Sequence, residues 1–280
     1  MLGTLAAAVL ILLQPPDTSF ADYLYGRGEY EMAAGEYLRV IFQANGDTLG
    51  LPGVSLRLAR CWQEMGRTED AMEMYTVLAR GLTDPDLAGS ALMGQASILE
   101  ETGRTAQAAD MYSMAEDEFL QPDLRDGAGV MAGLMEARLG RWIPASERLS
   151  HISSRGGSWS ASAARLSSVV AAGEDLPSRN PVLCGISSAI LPGSGQMLCG
   201  HFTDGIIALA VNGAVGFLFI SSLEEENTTT TVLLGWLGLS FYGGNIYGGA
   251  RAADRYNSAR RRELLETVSS IVMEHSSSPP

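Results

Sequence analysis

The sequence contains no lysine. Its 19 cationic side chains are all arginine, set against 32 Asp and Glu, for a formal net charge of −13. Over residues 1–180 there are 24 acids and 14 arginines. An acidic domain without a basic face lacks what a phosphate backbone requires, which argues against nucleic acid as a partner; the basic cluster of the chain, Arg251, Arg255 and Arg260–Arg262, follows an apolar segment instead. Cysteine is scarce as well. Cys61, Cys184 and Cys199 are too few for a disulfide framework. Cys184 and Cys199 flank one turn and could pair, but two buried, inert thiols are the favoured reading. Histidine is limited to His151, His201 and His275. The run Cys199-x-His201 with Asp204, even with Cys184 added, matches no established metal-ligand spacing. No metal, cofactor or catalytic residue is therefore expected, and the chain is expected not to be an enzyme. Charge itself is missing from residues 205–223 and 232–250, 19 residues each.

The first half is periodic. Gly66, Gly103 and Gly140 lie 37 residues apart, and Gly28 precedes them by 38. Five residues after each glycine stands Ala33, Ala71, Ala108 or Ala145, and nine after stands Tyr37, Tyr75, Tyr112 or Leu149. Seven before stands Ala21, Ala59, Ala96 or Gly133. This pattern predicts paired antiparallel helices. Glycine occupies a turn of positive φ, the small residues let two helices approach closely, and the aromatic fills the space beside that contact. A unit that cannot bury its apolar face alone must stack on its neighbours.

Residues 17–153 resemble the tetratricopeptide repeat, with units of 37–38 residues rather than that family's common 34 and with longer inter-repeat loops at Thr83–Asp86 and Gln121–Asp123. The resemblance implies an all-α solenoid of helical hairpins with a concave groove that binds a protein or peptide. The first helix of each unit would supply the groove from Arg57, Arg60, Gln63, Glu64, Gln95, Glu100 and Glu101; a solvated face is the default for such charges. Tyr75 and Tyr112 read as packing. Residues 158–172 read as a capping helix that completes a domain over 17–172, and 173–181 as a linker.

The second half reads as a membrane domain over 182–257. Each uncharged stretch approaches the length needed to cross hydrocarbon, and EEENTTTT between them reads as a polar loop, so a two-helix transmembrane hairpin is expected. Val182–Leu191 is too short to span and reads as an interfacial or re-entrant helix that Pro192 and Gly193 stop. Gly195, Gln196 and Gly200 would then turn the chain into the first span. Ala208, Asn212 and Gly216 form one small-residue stripe, and Ser240, Gly244, Gly248 and Ala252 another, available for packing within the hairpin or between copies in a homo-oligomer. Asn212 and Asn245 are expected to clamp the two helices, Asp204 to cap or sit at the interface, and Tyr242, Tyr247 and Tyr256 to mark it. The tail 258–280 begins with an amphipathic stretch, 258–274, suited to a membrane surface or a neighbouring domain.

The run Pro192-Gly193-x-Gly195-Gln196-x3-Gly200-x3-Asp204-Gly205, followed by Asn212, Tyr242-x-Gly244-Asn245-Ile246-Tyr247-Gly248 and Tyr256-Asn257, is similar to a bacterial two-helix membrane domain found with tetratricopeptide envelope proteins. Some of these are grouped with the YidD-type membrane protein insertion efficiency factors, whose cysteine-rich core this chain lacks. The resemblance implies a bacterial, membrane-bound protein.

Residues 1–16 carry a short apolar core ended by Gln14-Pro15-Pro16, about right for an export signal. That would place the repeats in the periplasm. The arginines 251–262 point the other way, because a hairpin returns the chain to its starting side and basic flanks favour the cytoplasm. The apolar segment is given the greater weight. The expected function is a membrane-anchored envelope scaffold without catalysis; the alternative is an accessory to membrane protein insertion or transport in which the hairpin is the active part.

Overall fold

The computed structural model describes residues 17–277, so the export-signal reading of 1–16 lies outside the described residues. All regular structure described is α-helical, in thirteen helices. The chain forms two compact units. One runs to Ala171 and resumes at Ile271; the other is Ala172–Ser270.

The first unit contains α1 (Ser19–Gly26), α2 (Tyr30–Gln43), α3 (Pro52–Glu64), α4 (Thr68–Gly81), α5 (Pro85–Glu101), α6 (Thr105–Glu118), α7 (Pro122–Arg138), α8 (Trp142–Ser154) and α9 (Ser160–Ala171). Gly28, Gly66, Gly103 and Gly140 follow α1, α3, α5 and α7 with φ between 74° and 78°. The residue after each of them donates its N–H back five residues, as Arg67 does to the Trp62 carbonyl at 2.8 Å and Arg104 to Leu99 at 2.8 Å. This left-handed cap satisfies helix-end carbonyls, and a side chain at that φ is strained. Ala33, Ala59, Ala71, Ala96, Ala108 and Ala145 are all fully buried, and Tyr37, Tyr75 and Tyr112 nearly so. The tyrosine hydroxyls stay satisfied: Tyr37 donates to Asp22 at 2.6 Å, Tyr112 to Glu100 at 3.0 Å and Tyr75 to Gln63 at 3.4 Å.

Polar ties link segments 34 to 38 residues apart, close to the sequence period. Gln63 donates to Ser97 and Glu101 at 2.6 Å each, and Arg138 to Glu100 at 2.6 Å. The Asp86 carboxylate accepts the N–H groups of Leu120 and Gln121 at 2.8 and 3.1 Å. Asp126 and Glu116, both buried, are met by Arg155 and Arg148. The prolines expected in inter-repeat loops instead open helices: Pro85 and Pro122 take the first positions of α5 and α7, where a missing N–H costs nothing.

The second unit contains α10 (Pro181–Ile190), α11 (Ser194–Leu198), α12 (Phe202–Glu224) and the long α13 (Thr228–Ser277), whose last turns, from Ile271, belong to the first unit. Among the described residues α12 is the helix long and apolar enough to cross a membrane, with a mean hydropathy of 2.1 over its best window and only 6% of that window buried. The second expected span, 232–250, does not reach the same apolarity, because six glycines, Asn245 and two tyrosines dilute its leucines. It also does not end near 250. Helix α13 continues unbroken for 50 residues and runs through position 257–258, where the membrane domain was expected to give way to the tail. Leu264, Val268 and Ile271, spaced along one face of the expected amphipathic stretch, are buried. In the first unit His275 stacks on Trp159 at 3.7 Å and Glu274 pairs with Arg165 at 2.9 Å.

The lysine-free composition gives the first unit a readable alkaline transition. Burial pushes the Tyr75 phenol up to about 12 and raises Tyr37 and Tyr112 also, with the Asp22 and Glu100 carboxylates adding to the last two. Unfolded phenols ionise near 10, so above that pH the unfolded chain binds fewer protons and stability falls as pH rises. Burial also pushes the Cys61 thiol up to about 11, so thermal unfolding followed by circular dichroism should be level from about pH 7 to 8, fall from about pH 9 as the unfolded thiol ionises, and fall more steeply from about pH 10. Tyr75→Phe, which gives up only a long hydroxyl contact, should flatten that decline while keeping most stability at neutral pH. At Gly103 the φ of +74° predicts that Gly103→Ala costs about 1–2 kcal/mol, whereas Gly35→Ala, inside α2 with open space around it, should gain about 0.5–1 kcal/mol in urea titrations.

Candidate functional site

The turn between α10 and α11 is held by α13. Asn180 caps α10, its carboxamide oxygen accepting from the N–H groups of Val182 and Leu183 at 2.9 and 3.2 Å. Leu191 is extended, Pro192 follows, and Gly193 adopts φ +88°. A Cβ on Gly193 would lie 1.9 Å from the Gly205 carbonyl oxygen, and one on Gly195 would lie 2.0 Å from the Cys184 carbonyl oxygen. Only bare backbone lets α11 fold back this tightly on α10 and meet the start of α12. Gly200, at φ +82°, then turns the chain into α12.

Asn245 of α13 satisfies the backbone that this turn exposes. Its side-chain oxygen accepts the Gly193 N–H at 2.9 Å, and its NH2 donates to the Ser188 carbonyl at 2.7 Å. Gln196 donates to the Asn245 carbonyl at 3.3 Å and accepts from the Ser188 hydroxyl at 3.0 Å. That hydroxyl in turn accepts the Gly195 N–H at 3.0 Å. Ser188, Gln196 and Asn245 are all buried. Tyr242 adds a hydrogen bond from its hydroxyl to the Ala189 carbonyl. Gly248 and Gly249 lie under the cluster, with a Cβ at Gly249 falling 2.4 Å from the Ser188 hydroxyl. The network contains no ionised group. Each polar member has a partner, the condition under which a buried network stabilises rather than costs.

The expected membrane-motif residues thus divide. Gly193, Gly195, Gln196, Asn245 and Gly248 converge on this network. Asn212 does not join it: its NH2 bonds the Ala208 carbonyl of its own helix at 2.8 Å, so no Asn212–Asn245 clamp exists. Gly244 is exposed, with open space where a Cβ would stand, and Tyr247 is exposed with Arg251 over its ring at 5.8 Å. Asp204 lies in a separate exposed group, 3.6 Å from Arg255 and 3.9 Å from His201. Tyr256 lies between Arg179 and Arg260, and Asn257 pairs both ways with the Arg179 backbone at 2.7 and 2.9 Å. Cys184 and Cys199 are free thiols with sulfurs 3.5 Å apart. Sequence reasoning missed Ser188; a lone serine pair in an otherwise apolar run was the available signal.

Helices α12 and α13 approach through Gly235 beside Phe219, Gly238 beside Val215, and a 3.0 Å contact between the hydroxyls of Ser222 and Thr231. Of the expected stripe on α13, Ser240 and Gly244 are exposed, while Ala252 is buried. A groove of about 610 Å³ lies between the helices, lined by Pro192, Asn212, Gly213, Gly216, Leu239 and Tyr242 among others. In the first unit the expected groove residues are largely committed. Arg57 pairs with Asp22, Arg60 with Glu64, Glu100 with Arg138, and Gln63 with Ser97 and Glu101. Gln95, buried, donates to Thr76 at 3.1 Å.

Asn245→Ala should leave the Gly193 N–H and the Ser188 carbonyl buried and unpaired, a loss of about 3 kcal/mol. Asn212→Ala should cost well under about 1 kcal/mol, because its bond is local and half-exposed. Thermal denaturation of the detergent-solubilised protein would show a large difference between the two. Compared with known proteins, the chain matches no family model, no curated protein and no solved structure.

Proposed function

We propose that the chain is a membrane-anchored scaffold of the bacterial cell envelope, without catalysis. Its tetratricopeptide-like solenoid, 17–172, captures a protein or peptide partner. Its second unit crosses the membrane as a hairpin of α12 and the first half of α13.

One observation carries this reading. The second unit wears its apolar side chains outside: Ile186, Ile190, Phe217, Trp236 and Leu239, among many others between 182 and 247, are exposed. A soluble domain avoids so continuous an apolar surface. A core helix of α12's hydropathy would be buried, and this one is 6% buried. The polar side chains at the Pro-Gly turn, Ser188, Gln196 and Asn245, are meanwhile buried and satisfied by one another and by backbone, as hydrocarbon demands. The first unit buries its apolar positions and supports the opposite role, a water-facing repeat array. Holding a binding groove at a surface raises the local concentration of whatever it binds.

The protein should remain with membranes after alkaline carbonate extraction. With a tag near Ser178, external protease should digest the repeats in intact spheroplasts. Release by carbonate would overturn the anchor; protection of the repeats would move them to the cytoplasm and favour the arginine-rich flank over the N-terminal apolar segment.

The groove beside Asn212 favours a second reading, an accessory to membrane insertion or transport. Asn212→Leu separates the two, since Asn245 is structural. Under the scaffold reading this variant retains membrane level, partner capture and function alike.

A further inference from the structure

Cys184 and Cys199 form a chemical site that anchoring does not use. Cys184 lies within α10, and Cys199 follows α11 at its joint with α12. Their sulfurs stand 3.5 Å apart, each 4% exposed, in a small cluster with Ala252 and Ala253 of α13. Each thiol has the other as its polar neighbour. A disulfide needs the two sulfurs at about 2.0 Å, a shortening of about 1.5 Å, which rotation of the two side chains can supply. The backbone on both sides is already held in place. The Asn245–Ser188–Gln196 network fixes α10 against α11, and the small side chains of Ala252 and Ala253, with Tyr256 at the edge, surround the two sulfurs.

We propose that Cys184 and Cys199 are a redox site that closes to a reversible intramolecular disulfide and covalently locks α10 to the α11–α12 joint. One thiolate attacks a disulfide oxidant, R–S–S–R, and expels R–S⁻, leaving a mixed disulfide. The second thiolate attacks the protein sulfur of that bond and expels the other R–S⁻. The two protein thiol protons pass to the two leaving thiolates, so the protein loses two hydrogens and two electrons and the oxidant is reduced to two thiols. Burial raises the Cys199 thiol to about 11, with its hydrogen bond to Cys184 adding to the rise, which makes the first attack slow at neutral pH and faster as pH rises. The ring that closes contains the Pro-Gly turn, so oxidation and the polar network secure the same fold-back. Cys61, alone in the first unit and fully buried, has no such neighbour and serves as an internal control.

The sequence supplies a clean readout. Met197 is the only methionine between residues 136 and 272, so cyanogen bromide separates Cys184 on fragment 136–197 from Cys199 on fragment 198–273. Full-length protein in detergent would be treated with excess dipyridyl disulfide, the remaining thiols alkylated, and the product cleaved. The expected result is that the two fragments remain joined until reduced, without a retained pyridyl group, and that dithiothreitol restores both thiols. Cys184→Ser should instead hold one pyridyl group on Cys199. Separate fragments, with thiols unmodified or each carrying a pyridyl group, would overturn the proposal. So would fragment 136–197 joined to its own copy. Because the wild-type protein provides the decisive result, a variant that fails to fold leaves the test intact.

Discussion

A single carboxamide, that of Asn245, answers the main constraint on the second unit. A Pro-Gly turn in apolar surroundings releases backbone donors and acceptors that a helix would have paired. In an apolar medium each such group left alone costs more than a hydrogen bond returns. Asn245 carries both a donor and an acceptor on one rigid plane, and it meets the turn on both sides of Pro192. Ser188 and Gln196 close the remaining gaps. The direction in which the chain enters α12, and with it the exposed apolar surface, follows from that fixed turn.

The first unit solves a different problem by periodicity. Its helices end in the same left-handed cap at Gly28, Gly66, Gly103 and Gly140, so the same reversal recurs without new chemistry. What distinguishes one step from the next is the polar tie across it: an aspartate taking two backbone N–H groups, a glutamine bridging serine and glutamate, an arginine on a glutamate. The absence of lysine matters in these ties. Arg138, Arg148 and Arg155 present planar forks to carboxylates, geometry that a lysine ammonium would not reproduce.

Local constraints were the legible ones. The helical content follows from hydrophobic and small-residue spacing. The glycine period coincides with the four left-handed turns, because positive φ is penalised for every other residue type. The interruption of the apolar run at Pro192-Gly193 was equally visible. What sequence could not supply was the partner of each polar group. Ser188 pairs with a residue 57 positions away, Ser162 sits beside His275 across 113, and Asn212, which looked equivalent to Asn245, turns back on its own helix. The continuity of α13 past the second apolar stretch was hidden for a related reason: nothing in residues 250–262 forbids a helix, and a change of charge is not a change of backbone.

Helix α13 meets the Pro-Gly turn along a single buried stretch, Asn245, Gly249 and Ala252. Within the second unit Asn245, Gly249 and Ala252 follow one another at steps of four and three, so they share one face of the helix. The aim of the Asn245 carboxamide is thus counted out in residues, about 100° for each. A single residue added or removed between 246 and 251 would swing that carboxamide about 100° away from the face that Ala252 keeps, while a change of side chain at an exposed position such as Tyr247 would leave its aim untouched.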